Sequence, residues 1–223
     1  MKALVFDLDG TLVDTKYDML DAGNLVFESQ GWKAKLKGFS GLQTAIQGGR
    51  AILRYGLKEE GISFTEKSLK DYYQLYLHNY DKVLDNKSRN YVGVVDTLSK
   101  LQPMGVKLGL CTNKPEKHAR ELLKRLGLVD FFKNSFIGSD TIGIAKPNPM
   151  PLLEAIYRLD KKPEDVFFVG DTNTDAEAAK NANVDFIFCE YGHGSIYKLA
   201  KGENAIMKIK IFADLISIYK DKP

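Results

Sequence analysis

The segment Asp7-Leu8-Asp9-Gly10-Thr11-Leu12 follows directly on the apolar run Ala3-Leu4-Val5-Phe6, so two carboxylates stand where a buried strand would end. In open α/β sheets that is where ligands bind. Side chains alternate along an extended chain, which sends Asp7 and Asp9 to one side and crowds two negative charges together. Such a pair is expected to need a divalent cation. Cys111-Thr112-Asn113-Lys114-Pro115 ends another apolar run and opens a helix, so the Thr112 hydroxyl and nearby N–H groups are placed to meet a phosphate. An N-cap role for Thr112 or Asn113 stays equally open. Lys146 sits in Gly143-Ile144-Ala145-Lys146-Pro147-Asn148-Pro149-Met150-Pro151, where three prolines restrict themselves and the residues before them. That lysine is either solvated surface or a charge aimed at phosphate oxygens or at Asp7. In Val169-Gly170-Asp171-Thr172-Asn173-Thr174-Asp175 a strand again ends in a carboxylate and runs into a helix. Here Asp171 is an N-cap or a ligand, and Asp175 is first-turn decoration or a charge partner. With Asp7 and Asp9, Asp171 would complete a set of oxygen donors suited to Mg²⁺.

These segments need a scaffold, and the hydrophobic pattern supplies one. Strand-like runs recur at Ala3 to Phe6, Lys107 to Cys111, Ser135 to Ile137, Val166 to Val169 and Phe186 to Cys189, with helical patterns between the later ones. That rhythm predicts an α/β fold, a doubly wound parallel sheet covered on both faces. One helix is marked by Pro115 in its first turn, by the stripe Ala119, Leu122, Leu123 and Leu126, and by Gly127 at its end; another is expected over about Met150 to Arg158. From Thr15 to Lys87 the periodicity is helical throughout, including Tyr17 to Gln30 and the tyrosine-rich Leu69 to Tyr80. The expected division is therefore a sheet core of residues 1–14 and 88–223, with an inserted helical domain over 15–87. Ile209 to Tyr219 is apolar enough to pack back on that core.

The chain has 223 residues, 44% of them hydrophobic and 27% charged, and a net charge of +3 from 32 basic and 29 acidic groups. It can bury a sizeable core, and its lysines are dispersed, so neither nucleic-acid nor membrane binding is indicated by charge. Cys111 and Cys189 form no CxxC, which argues against a cysteine metal cage or a disulfide framework and fits a cytoplasmic setting. No apolar run approaches the roughly 20 residues of a membrane span, and the first strand begins too early for a signal peptide. His78, His118 and His193 are too scattered for a metal site and are expected at the surface.

The ordered set DLDGT, TN, KP and GDTNTD resembles the haloacid dehalogenase-like superfamily of aspartate-nucleophile phosphatases, over nearly the whole chain. Gln47-Gly48-Gly49-Arg50-Ala51-Ile52-Leu53, Tyr91-Val92-Gly93-Val94, Thr112-Asn113-Lys114-Pro115 and Glu190-Tyr191-Gly192-His193-Gly194 resemble the bacterial phosphoglycolate phosphatases more closely. Val92 departs from the proline usual there, and the last loop is shorter in its Tyr-Gly pattern. The resemblance implies a Mg²⁺-dependent phosphatase of a small phosphorylated metabolite, acting through an aspartyl-phosphate, with the helical insertion as a cap. It implies Asp7 as nucleophile and Asp9 as acid and base, with Asp7, the Asp9 carbonyl and Asp171 on the metal, and Asp175 supporting them. Thr112, Asn113 and Lys146 would hold the phosphate oxygens, and Arg50 would read an anionic substrate such as 2-phosphoglycolate. A phosphomutase, nucleotidase or pyrophosphatase of the same superfamily stays open, as does a phospho-accepting receiver domain, although a receiver would not need the helical insertion. Monomer and homodimer are both compatible with the sequence.

Overall fold

The computed structural model describes residues 2–193 and 205–220. Gly194 of the last quoted motif lies outside them. The chain forms two compact units, one of residues 1–14 with 90–223 and a second of residues 15–89. Two short strands, β2 (Val13–Asp14) and β3 (Arg89–Asn90), lie where the chain passes from one unit to the other.

The first unit carries a six-stranded sheet in the order β5-β4-β1-β6-β7-β8, from β1 (Ala3–Phe6), β4 (Leu108–Cys111), β5 (Phe136–Ile137), β6 (Val166–Gly170), β7 (Asp185–Cys189) and β8 (Met207–Ile209). Every pairing in it is parallel. The fold is α/β, as the pattern of apolar runs requires. Ala3 and Val5 belong to a core with Leu152, Ala155 and Ile156 of α7 (Met150–Arg158) and with Ala176 and Ala179 of α8 (Asn173–Asn181). Phe6 meets Phe132 and Phe212 at ring-centroid distances of 6.1 and 5.5 Å. Successive residues of β1 thus serve two different apolar layers, which is why the strand reads as a continuous hydrophobic run. The expected helix after Pro115 is α6 (Glu116–Arg125), ended as foreseen by Gly127 in a left-handed conformation at φ 73°.

The last strand was not anticipated. Met207-Lys208-Ile209 is too short and too polar at its centre to stand out, and it is recruited as an edge beside β7. Beyond it Phe212, Leu215 and Tyr219 are buried, in agreement with an apolar segment folded onto the core.

The second unit is helical: α1 (Lys16–Ser29), α2 (Gly38–Ala45), α3 (Gly49–Glu59) and α4 (Glu66–Val83). Tyr73, Tyr76 and Tyr80 stack along α4 with near-parallel rings 5.9 and 6.0 Å apart. Tyr76 and Tyr80 are buried, the core role expected of the tyrosine stripe. Asp18 in the first turn of α1 is fully buried and accepts from the Lys87 and Ser88 N–H groups and from the Ser88 hydroxyl. It fixes the segment by which the chain leaves the unit to the helix by which it enters.

Candidate active site

Strand β1 lies between β4 and β6, with Phe6 opposite both Leu110 and Val169. Asp7, Thr112 and Asp171 each follow the strand that precedes them and so reach the same carboxyl edge of the sheet. The chain moves outward from β1 to β4 and β5, then returns to β6 on the other side, which makes this a topological switch point. Asp7 is held there by its N–H, which donates to the Val169 carbonyl at 2.9 Å.

The turn after Asp7 needs glycine. Gly10 has φ 90°, and a methyl group on it would lie 2.1 Å from Asp171 Oδ2. Gly192 is similarly confined, since a Cβ there would sit 1.8 Å from the Gly10 carbonyl oxygen. The Tyr191 hydroxyl donates to the Thr11 carbonyl at 2.9 Å, and the Thr11 hydroxyl donates to Asp171 Oδ1 at 3.2 Å. The loop after β7 thereby braces the loop after β1 against Asp171.

Lys146 is not at the surface. Its ammonium donates to Asp7 Oδ1 at 2.7 Å, Asp175 Oδ1 at 2.6 Å and the Cys111 carbonyl at 2.9 Å, all buried. Asn113 spends its side chain on the same segment: Nδ2 donates to the Lys146 carbonyl at 3.0 Å, and Oδ1 accepts from the Lys146 N–H at 2.9 Å. The Asn113 amide therefore positions Lys146. Thr112 Oγ1 accepts from the Lys114 N–H at 3.1 Å, so the hydroxyl shapes its own turn. The N-cap of α8 is Thr172 rather than Asp171, in a reciprocal box with Asp175, whose Oδ2 accepts from the Thr172 N–H and hydroxyl. Asp175 thus caps its helix with one oxygen and neutralises Lys146 with the other.

Asp9 is paired with a lysine of its own. Its Oδ1 lies 3.0 Å from Lys114 Nζ, and the acidic group whose ligand atoms fall within 4.8 Å of one another is Asp7, Asp171 and Asp175. The pair Asp7 and Asp9 does not lack counter-ions, because each has its own lysine. The excess negative charge comes from Asp171 and Asp175. Lys114 was missed because a lysine in a turn has no local sequence mark. His118 and His193 are buried, against the surface placement expected of them, whereas His78 is exposed. Arg50, exposed in the first turn of α3, carries its guanidinium 4.9 Å from the Tyr73 ring centre within the helical unit.

Burial is the largest influence on Asp7 and pushes its carboxyl up to about 7; Lys146 pulls it down, while Asp175 and Asp9 add like charge. Asp171 is raised well above the usual carboxylate range, first by burial and then by Asp175 and Asp7. Burial works against the Lys146 ammonium, yet Asp175 and Asp7 outweigh it and hold the proton. Asp171 Oδ2 is buried, 3.8 Å from His193 Nδ1, and makes no hydrogen bond of ordinary length among the described residues. Three clustered carboxylates, one of them with an oxygen that lacks such a bond, fit a hard divalent cation that takes oxygen ligands.

The fold is a parallel α/β sheet that carries a buried cluster of carboxylates and a lysine at its carboxyl edge. Residues 4–189 match the family described as haloacid dehalogenase-like hydrolase, and the chain belongs to it. It is 34% identical over 205 residues to a phosphoglycolate phosphatase of Nitrosospira multiformis, covering 89% of this chain and 88% of that one. A phosphoglycolate phosphatase of Mesorhizobium japonicum is 31% identical over 191 residues, covering 85% and 83%. The crystal structure of a predicted phosphoglycolate phosphatase from Haemophilus somnus superposes with a TM-score of 0.81 at 26% identity, over 99% and 98% of the two chains. The enzyme class expected from the sequence, a phosphoric monoester hydrolase, is the class of those relatives.

Proposed function

We propose that the protein is a divalent-metal-dependent phosphatase that hydrolyses a small phosphate monoester, 2-phosphoglycolate, through an aspartyl-phosphate on Asp7. The observation that carries this reading is the Asp7–Lys146–Asp175 ion cluster beside Asp171 at the edge of β1 and β6. The names of the relatives point the same way. Asp7 attacks phosphorus and accepts the phosphoryl group, while Lys146 holds the aspartate in place and offsets charge on the transferring oxygens. Asp9, at the next outward position of the loop, protonates the departing alcohol and then takes a proton from the hydrolytic water. Thr112 and the adjacent N–H groups bind the non-bridging oxygens, with Asn113 acting through the backbone of Lys146.

Asp7, Asp171 and the Asp9 carbonyl would hold Mg²⁺, and Asp175 would support them from Lys146. When bound, the ion neutralises phosphoryl charge that a single lysine cannot balance. The helical unit acts as the cap that excludes water, with Arg50 meeting the anionic end of the substrate. Among the described residues no helix is long and apolar enough to cross a membrane. A cytoplasmic enzyme acting as monomer or homodimer accords with that.

Phosphate release from a panel of 2-phosphoglycolate, nucleoside monophosphates, hexose phosphates and pyrophosphate, with Mg²⁺ present, tests the reading. Preferred multiple turnover of 2-phosphoglycolate, abolished in Asp7→Asn, supports it. Stoichiometric phosphorylation without turnover would refute it.

A further inference from the structure

Lys114 has no part in the chemistry described so far, yet it is built into the site. Its side chain is 5% exposed and its ammonium lies 3.0 Å from Asp9 Oδ1, while the Asp9 side chain keeps 19% exposure. Its main chain is fixed on both sides: the N–H donates to Thr112 Oγ1 at 3.1 Å, and the carbonyl accepts from the Ser139 N–H at 3.0 Å. The burial of the side chain and the ion pair with Asp9 hold the ammonium at this place. It meets what is brought to Asp9.

The reaction brings the leaving oxygen there. A proton donor must stand about 2.6–3.2 Å from the oxygen it serves. A carboxylate on the carbon that bears that oxygen can then turn to within about 4 Å of the ammonium, the reach of an ion pair. Lys146 is not available for this task, because it is held between Asp7 and Asp175.

We propose that Lys114 reads a carboxylate carried by the leaving group, so that the enzyme selects phosphate esters of small 2-hydroxy acids over esters of uncharged alcohols. This inference rests on the phosphatase reading and adds a residue that determines specificity within the sheet unit, separate from Arg50. An uncharged leaving group of the same size gains nothing from Lys114 beyond its support of Asp9. A charged one gains an ion pair in a site mostly shielded from water, where such contacts are strong.

The test compares 2-phosphoglycolate with ethyl phosphate, which matches it in chain length and lacks the carboxylate, in the full-length protein with Mg²⁺. The wild type should prefer 2-phosphoglycolate. Lys114→Met should lose on the order of a hundredfold in kcat/KM for that ester, chiefly in KM, and at least about tenfold less on ethyl phosphate, where only its support of Asp9 is removed. Lys114→Arg should restore much of the loss. An equal fall on both esters would reduce Lys114 to a support for Asp9 and overturn the inference, as would no change on either. A wild type that hydrolyses the two esters equally well would refute the inference but leave the phosphatase reading standing. A wild type inactive on every ester in the panel would sink that reading, and this inference with it.

Discussion

Replacing Lys146 by methionine keeps most of the side chain's length and removes its charge, which isolates the electrostatic part of its role. The ammonium holds two carboxylates, 2.7 and 2.6 Å away, and both it and Asp175 are 2% exposed on their side chains. Taking one partner out of a buried ion pair costs about 3–5 kcal/mol, because the remaining charge is neither solvated nor compensated. The loss should depend on pH. Lys146 is the influence that lowers Asp7, so without it that carboxyl titrates above its present value of about 7. In the variant the native state then keeps a proton that the unfolded chain gives up near pH 4, and stability falls as pH rises between those points. Urea unfolding of metal-free protein should show a difference from wild type that grows by about 1 kcal/mol between pH 5 and pH 8, since wild-type Asp7 releases its proton near 7 whereas the variant keeps it. Phosphate release with Mg²⁺ at pH 7.5 should drop by at least about a hundredfold. An equal stability difference at both pH values, or an unchanged rate, would show that Lys146 is not the counter-ion of Asp7.

In metal-free wild type the raised carboxyls of Asp7 and Asp171 give stability that is full at low pH and is lost as pH rises from about 4 toward 7. Mg²⁺ should therefore raise Tm more at pH 8 than at pH 5, and an equal rise at both would argue against these carboxylates as its ligands. Asp171→Asn should weaken the Mg²⁺-induced rise in Tm at least tenfold in the Mg²⁺ concentration required, since it alters the oxygen that makes no hydrogen bond of ordinary length; an unchanged titration would place the ion elsewhere. Asp18→Ala leaves the buried N–H and hydroxyl of Ser88 and the part-buried N–H of Lys87 without their acceptor, and should cost about 3 kcal/mol in urea unfolding, where a loss under about 1 kcal/mol would contradict the buried clamp. Gly192→Ala drives a methyl group into the Gly10 carbonyl and should abolish turnover even where the protein folds, as judged by circular dichroism.

Much of the sheet could be read directly from the chain, because strands buried on both faces are apolar at every position and end in recognisable turns. Ala3–Phe6 and Met150–Arg158 have the bounds expected of them. Met207–Ile209 escaped notice because an edge strand needs only one buried neighbour and little apolar length. The histidines show the limit of residue type as a guide: His118 and His193 were expected at the surface and lie buried, His193 with Nδ1 3.8 Å from Asp171 Oδ2. Among the site residues, the segments that carry Asp7, Thr112, Lys146 and Asp171 were conspicuous. The side chain's task was not: Asn113 could be named as polar at the right loop, but its attachment to the Lys146 backbone spans 33 positions and leaves no local trace.

Sequence by itself determined that carboxylates end two parallel strands, that Gly10 must turn the chain beside them, and that a helical segment is inserted after the first. These follow from interactions within a few residues: alternation along a strand, the restricted angles of proline, the freedom of glycine and the capping of a helix. Tertiary structure alone decided which charge meets which. Lys146 reaches Asp7 across 139 positions, and Lys114 meets Asp9 across the same edge. Those pairings depend on the order of strands in the sheet, which sets β4 and β6 on either side of β1. The same order gathers Asp171 and Asp175 into the excess of negative charge that a divalent cation would balance.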